Sequence, residues 1–181
     1  MFAFCGRAPV YIVVIALTAW PWTPTAFAQQ RVPLTIAEAE DLAIAAESAV
    51  MTMAYTNAGL SPDGSSTYYM PRKIGDRRTR ELMLTNRVLT SAEALDWGVV
   101  NQVVADDAVL SSAQKLAAKL ASGPTHAYGQ VKALLDGSFD HSLESQMELE
   151  ARAIAGLVTT PDGQEGLHAF LEKRKPQFTG R

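Results

Sequence analysis

Residues 54–66 place a single carboxylate, that of Asp63, beside glycine in a stretch predicted to bend. Ser61 is of a type that caps helices, Pro62 suits a first helical position, and Asp63 and Gly64 would follow in the opening turn. Backbone N–H groups at such a turn, together with one acid, can bind a small ligand. The helix dipole alone also favours an acid there, so this pattern leaves a purely structural role open.

The hydrophobic pattern predicts the elements that must position this stretch. Two short apolar segments, residues 42–46 and 50–55, are predicted strands, and a third strand is expected at 99–104. Thr90 and Glu93 form a capping-box pattern at the start of a short helix. The remaining predicted helices cover residues 66–74, 76–85, 107–121, 124–135, 143–158 and 161–173.

Composition excludes several classes of function. A chain of 181 residues with 48% hydrophobic content can bury one core, and its net charge of −3 provides no basic surface for nucleic acid. The single cysteine, Cys5, excludes an intramolecular disulfide and a multi-cysteine metal site. The three histidines lie far apart in the sequence, so no metal site is predicted.

Five stretches of the chain resemble, in order and spacing, the enoyl-CoA hydratase/isomerase family, also called the crotonase family. They are residues 41–49, 54–66, 78–87, 91–104 and 165–181. The resemblance implies an α/β fold: the last turn of a truncated β-β-α spiral, followed by a helical C-terminal region used in trimer contacts. It further implies an acyl-CoA substrate, no cofactor beyond the coenzyme A of that substrate, and a homotrimer or higher oligomer.

The resemblance divides the chain into residues 1–38, which do not match the family, the end of the spiral core at 39–123, and the helical region at 124–181. Residues 1–28 are typical of a secretory signal, with Arg7 before an apolar run that is too short and too interrupted for a stable membrane span. A truncated or frame-shifted gene is the competing interpretation. Coenzyme A thioesters are intracellular, so we expect a cytoplasmic protein, with export as the alternative.

The same resemblance assigns roles at the Asp63 stretch. Asp63 matches the aspartate of the Pro-Asp-Ala/Gly-Gly form of the family motif, which is similar to ring-opening isomerases of phenylacetate breakdown, related double-bond isomerases and halobenzoyl-CoA dehalogenases. This implies that Asp63 is the catalytic proton shuttle and that Gly64 contacts the substrate. Hydratases carry one of two glutamates at the position of Tyr55, so a two-glutamate hydratase is disfavoured and Tyr55 is assigned to the pocket wall.

Two residues near the C-terminus match positions that contact coenzyme A. Phe170 and Lys173 correspond to family residues at the adenine and phosphate end of the ligand, often of a neighbouring subunit. A lysine beside a phosphate and a phenylalanine stacked on a purine are both physically reasonable. The alternative is a helix with an inward-facing Phe170 and a solvated Lys173.

Catalysis in the family also needs an oxyanion hole of two backbone N–H groups, which would come from segments before residue 41. Neither segment is recognisable, because the chain has no glycine between Gly6 and Gly59. Two functions therefore follow: an acyl-CoA-processing enzyme impaired by truncation, or a non-catalytic remnant that acts only through oligomerisation. We also expect poor solubility or oligomers, because strands 42–46 and 50–55 would lack sheet neighbours.

Overall fold

The computed structural model describes residues 12–15 and 42–181. It divides into two compact units, Met1–Gln114 and Lys115–Arg181. Most of the predicted N-terminal segment, residues 1–38, lies outside the described residues, and the three-part division of the chain stays a prediction.

Among the described residues of the first unit, five short strands form two sheets. In chain order they are β1 (Ile12–Ile15), β2 (Leu42–Ala46), β3 (Val50–Met51), β4 (Leu89–Thr90) and β5 (Gln102–Val104). Strand β2 is central in a three-stranded sheet, antiparallel to β1 and parallel to β5, with Ala45 opposite both Ile12 and Val103. Strands β3 and β4 form a separate antiparallel pair. The expectation that residues 42–46 lack sheet neighbours is therefore wrong, since both edges of β2 are paired.

The predicted strand at 50–55 ends early, at Met51. A 3-10 turn at Thr56–Ala58 follows, and the N–H groups of Ala58 and Leu60 both donate to the carbonyl of Tyr55, each at 3.0 Å. Gly59 adopts a left-handed φ of 71°, which this reversal requires. Because the Tyr55 carbonyl accepts hydrogen bonds within this turn, the chain does not continue as a strand through Tyr55.

In the part of the first unit that the structure describes, the helices are α1 (Ser66–Ile74), α2 (Asp76–Thr85), α3 (Ser91–Asp96) and α4 (Val109–Ala121), the last of which continues into the second unit. The predictions for residues 66–74 and 76–85 are confirmed at both ends. Helix α4 begins two residues later than predicted, after a 3-10 turn at Asp106–Ala108. The core is built from small and flexible side chains, which allow the short strands to lie close to α1 and α2; among them are Ala43, Ala45, Met51, Met53, Met70, Leu82 and Leu89.

The capping box before α3 is confirmed. The Thr90 hydroxyl accepts from the Glu93 N–H at 3.2 Å, and the Glu93 carboxylate accepts from the Thr90 N–H at 3.0 Å. The N–H and the hydroxyl of Thr90 both donate to the Glu93 carboxylate and hold the pKa of Glu93 below its usual value. Two N-terminal N–H groups of the helix are thereby satisfied.

Replacing Thr90 with Ala is expected to destabilise the protein by about 1 kcal/mol, the usual cost of losing a helix N-cap. Chemical denaturation of both proteins measures this difference. Thr85→Ala is the control, because the Thr85 hydroxyl lies at the C-terminal end of α2, where it donates to the carbonyl of Glu81 and accepts from the N–H of Arg87, and it caps no helix N-terminus. Equal losses in the two variants would contradict a capping role for Thr90.

The second unit contains three helices after α4: α5 (Thr125–Gly137), α6 (Leu143–Val158) and α7 (Pro161–Leu171). The prediction for residues 143–158 is confirmed. Thr160 caps α7, its hydroxyl accepting from the Gly163 N–H. None of the helices among the described residues has the length and apolarity to cross a membrane.

The C-terminal residues fold back onto α7. Asp162, only 4% exposed, accepts from the N–H groups of Thr179 and Gly180 at 2.7 and 2.8 Å. Glu165 forms a two-pronged ion pair with Arg174, with N–O distances of 2.6 and 2.8 Å. The tail after α7 is therefore held by two carboxylates on one helix.

We expect this tail to detach in acid. Arg174 lowers the pKa of Glu165 to about 2, and the N–H of Thr179 is the main cause that lowers the pKa of Asp162. Since both folded-state values are depressed, the stabilisation is present above the ordinary pKa of about 4.5 for Glu165 and is lost as pH falls towards about 2.

The amide signal of Gly180 in an NMR pH titration measures this detachment, with Glu148 and Arg152, an exposed pair on α6, as the comparison. A Gly180 signal that stays in its folded position down to pH 2 would contradict the expectation.

Candidate active site

Asp63 lies in the loop before α1 and not in the first turn of a helix. Gly64 and Ser65 both adopt a left-handed φ of 59°, and two such residues in succession cannot belong to a right-handed helix. The helix therefore starts at Ser66, whose N–H and hydroxyl both donate to the Asp63 carbonyl. The predictions that Ser61 caps the helix and Pro62 begins it are wrong for this reason.

The Asp63 carboxylate has a partner that the sequence did not predict. The Tyr55 hydroxyl donates a hydrogen bond to Asp63 Oδ1 at 2.6 Å. The Tyr55 side chain is half-buried and packs against the core of the first unit, whereas Asp63 is exposed. The assignment of Tyr55 to a pocket wall stays a prediction, and it did not include this hydrogen bond.

A polar network holds the turn that carries Tyr55. The hydroxyl of the next residue, Thr56, donates to the carbonyl of Met83 at 2.8 Å and accepts from the Asn86 amide. Asn86 ends α2 with a left-handed φ of 52°, and its carbonyl accepts from the Thr52 hydroxyl. The C-terminus of α2 therefore fixes the backbone on both sides of Tyr55.

Gly64 is exposed beside Asp63. A Cβ built there would meet no atom within 4 Å, so the left-handed φ and not crowding favours glycine at this position. A small residue next to the acid leaves its backbone accessible to a ligand. The role of Gly64 in substrate binding stays a prediction.

Phe170 and Lys173 lie together at the C-terminal end of α7, in the second unit. Phe170 is 81% exposed, so the alternative of an inward-facing side chain is wrong. Lys173 adopts a left-handed φ of 53°, and its N–H and that of Arg174 donate to the carbonyls of Phe170 and Ala169. This is a Schellman motif with lysine at the position that glycine usually occupies. Contact of either side chain with coenzyme A stays a prediction.

Side chains that could bind a metal ion do not form a cluster among the described residues. Within residues 12–15 and 42–181, no group of three or more His, Cys, Asp or Glu side chains could hold a metal ion. The site brings together the Asp63 carboxylate and the Tyr55 hydroxyl.

Comparison with known proteins gives a consistent result. A family model described as enoyl-CoA hydratase/isomerase matches residues 34–181. The chain is 39% identical over 149 residues to 1,2-epoxyphenylacetyl-CoA isomerase of Escherichia coli (strain K12), covering 81% of this chain and 56% of that protein. It is 38% identical over 133 residues to 4-chlorobenzoyl coenzyme A dehalogenase-1 of an Arthrobacter species, covering 74% of this chain and 48% of that protein.

Solved structures of the same kind share the fold. An enoyl-CoA hydratase from Bacillus anthracis superposes with a TM-score of 0.72 at 34% identity, over 78% of this chain and 55% of that one. The sequence therefore spans about half the length of the proteins that it matches. The α/β fold expected from the sequence, a partial crotonase fold, is confirmed.

Proposed function

The chain belongs to the enoyl-CoA hydratase/isomerase family, and on this premise we propose that it moves a proton on an acyl-CoA thioester through one carboxylate, that of Asp63. The observation that carries the proposal is the hydrogen bond of 2.6 Å from Tyr55 to Asp63. It holds one acid in place at the position where the family motif has its aspartate. Tyr55, the donor in this bond, lies at the position where hydratases of the family carry a glutamate.

One acid suits isomerisation better than hydration. Hydration needs one group to activate water and another to protonate the α carbon, whereas a double-bond shift needs a proton to leave one carbon and return at another. The Asp63 carboxylate would take a proton from the α carbon while the electron pair moves towards the thioester oxygen. The resulting carboxyl group would return that proton at the γ carbon as the double bond forms between α and β.

Two further contributions complete the proposed mechanism. Phe170 and Lys173 would contact the adenine and phosphate end of coenzyme A, and Gly64 would contact the substrate beside Asp63. The thioester oxygen needs N–H donors, and losing one such donor typically costs a factor of about 10²–10³ in rate. We therefore propose that turnover depends on such N–H donors as well as on the Asp63 carboxylate. The substrate class also favours a cytoplasmic location.

A double-bond shift assay on a 3-enoyl-CoA tests this function. The purified chain is assayed alone and together with an intact member of the family, and formation of the conjugated 2-enoyl-CoA is followed. Turnover by the chain alone supports the proposal. No turnover by the chain alone across a range of acyl lengths would contradict it.

A second candidate is a non-catalytic member that acts only through oligomerisation. It is favoured by large apolar side chains left exposed on α5, α6, α7 and the loop between α5 and α6, namely Leu135, Phe139, Leu143, Met147, Ile154, Phe170 and Leu171. Patches of this kind mark contacts between proteins. We propose a homotrimer or higher oligomer, measured by light scattering. Activity that increases only when the intact family member is added would favour this candidate.

A further inference from the structure

We infer that Tyr55 is a positioning residue that holds and orients the Asp63 carboxylate, and this inference rests on the proposed function. A tyrosine hydroxyl at 2.6 Å from a carboxylate oxygen is a short, charge-assisted hydrogen bond. Such a bond restricts rotation of the carboxylate about its Cβ–Cγ bond. Tyr55 therefore selects the direction in which Asp63 meets a substrate carbon.

Both partners in this bond have anchored backbones. The carbonyl of Tyr55 accepts from the N–H groups of Ala58 and Leu60, and its ring packs against the core. The carbonyl of Asp63 accepts from the N–H and hydroxyl of Ser66 at 3.2 and 2.7 Å. The hydrogen bond therefore closes a rigid ring from Tyr55 through the turn to Asp63, which is the preorganisation that proton transfer requires.

The type of residue at position 55 sets how many acids the site contains. A glutamate within hydrogen-bond reach of Asp63 would place two negative charges side by side, and one of them would then favour its protonated form. The Tyr55 hydroxyl is a neutral donor, so it orients the carboxylate without competing for the transferred proton. The tyrosine therefore favours chemistry by one acid.

Replacing Tyr55 with Phe removes only the hydroxyl and leaves the ring in the core. We expect kcat for the 3-enoyl-CoA double-bond shift to fall about tenfold with KM nearly unchanged, because the lost bond orients the acid and does not bind the substrate. Tyr68→Phe is the matched control: the Tyr68 ring contacts Arg72 and Tyr69. Its kcat and the melting temperatures of both variants should match the wild type.

A double-mutant cycle separates positioning from an independent role. If Tyr55 acts through Asp63, Tyr55→Phe should cause no further loss in an Asp63→Asn background. A Tyr55→Phe variant with wild-type kcat, or an equal tenfold loss in both backgrounds, would overturn this inference while leaving the proposed function intact. Equal turnover by the wild type and by Asp63→Asn would instead overturn the proposed function, and this inference with it.

Discussion

Replacing Asp63 with Asn is expected to lower the turnover of a 3-enoyl-CoA at least ~10²-fold, the lower range for a general acid–base group. Asparagine keeps the size of the side chain and can still accept the hydrogen bond from Tyr55, so the loop should remain folded. Only the capacity to take up a proton is lost. Steady-state rates of the double-bond shift, at saturating substrate, measure the effect.

Asp96→Asn is a suitable control for this variant. Asp96 is the last residue of α3, is exposed like Asp63, and lies in the same unit. Its substitution should leave turnover unchanged. If Asp63→Asn also retained full activity, Asp63 would return to a structural role in the loop before α1. Equal large losses in Asp63→Asn and Tyr55→Phe would mean that the acid has been misplaced.

Replacing Lys173 is expected to weaken coenzyme A binding about tenfold, the lower range for a hydrogen bond to a charged group. Lys173→Ala removes the charge but retains the left-handed backbone at φ 53°, whereas Lys173→Gly removes both the charge and the strain. The two variants should therefore lose affinity equally. Only Lys173→Gly should gain stability, by about 1 kcal/mol, because a side chain in this conformation is costly.

Titration calorimetry with coenzyme A and chemical denaturation measure the two effects separately. Lys175→Ala, in the tail beyond the Schellman motif, is the control for loss of one positive charge. Unchanged affinity in Lys173→Ala would favour the alternative of a solvated lysine. A gain in stability without any loss of affinity in Lys173→Gly would leave the strained lysine without a functional explanation.

Much of the fold could be predicted because helices depend on local signals. Residues 66–74, 76–85 and 143–158 were predicted at both ends from periodicity and end signals, and the Thr90 capping box from its spacing. Strand 50–55 was overextended, because the apolar pattern continues through Met53 and Tyr55 although strand pairing ends at Met51. The pairing of β2 with Ile12–Ile15 depends on contacts distant in sequence, which no local pattern encodes.

The candidate site could be predicted only in part. Asp63 was identified as the candidate acid from the family motif. Its position outside α1 depends on left-handed conformations at Gly64 and Ser65, and a serine in a sequence does not indicate such a conformation. The hydrogen bond from Tyr55 to Asp63 depends on the conformation of the turn between these two residues and not on a fixed spacing in the sequence. The sequence around Lys173 did not indicate a Schellman motif, because a glycine normally marks that motif in a sequence.

Transfer of label within the substrate tests the central claim most directly. A 3-enoyl-CoA carrying deuterium at the α carbon is converted by the wild-type chain, and the product is analysed by mass spectrometry and NMR. If one carboxylate removes and returns the proton, part of the deuterium should appear at the γ carbon, and Asp63→Asn should lower turnover at least ~10²-fold and abolish the transfer. Turnover with complete loss of label to solvent, unchanged in Asp63→Asn, would contradict a single-acid shuttle at Asp63.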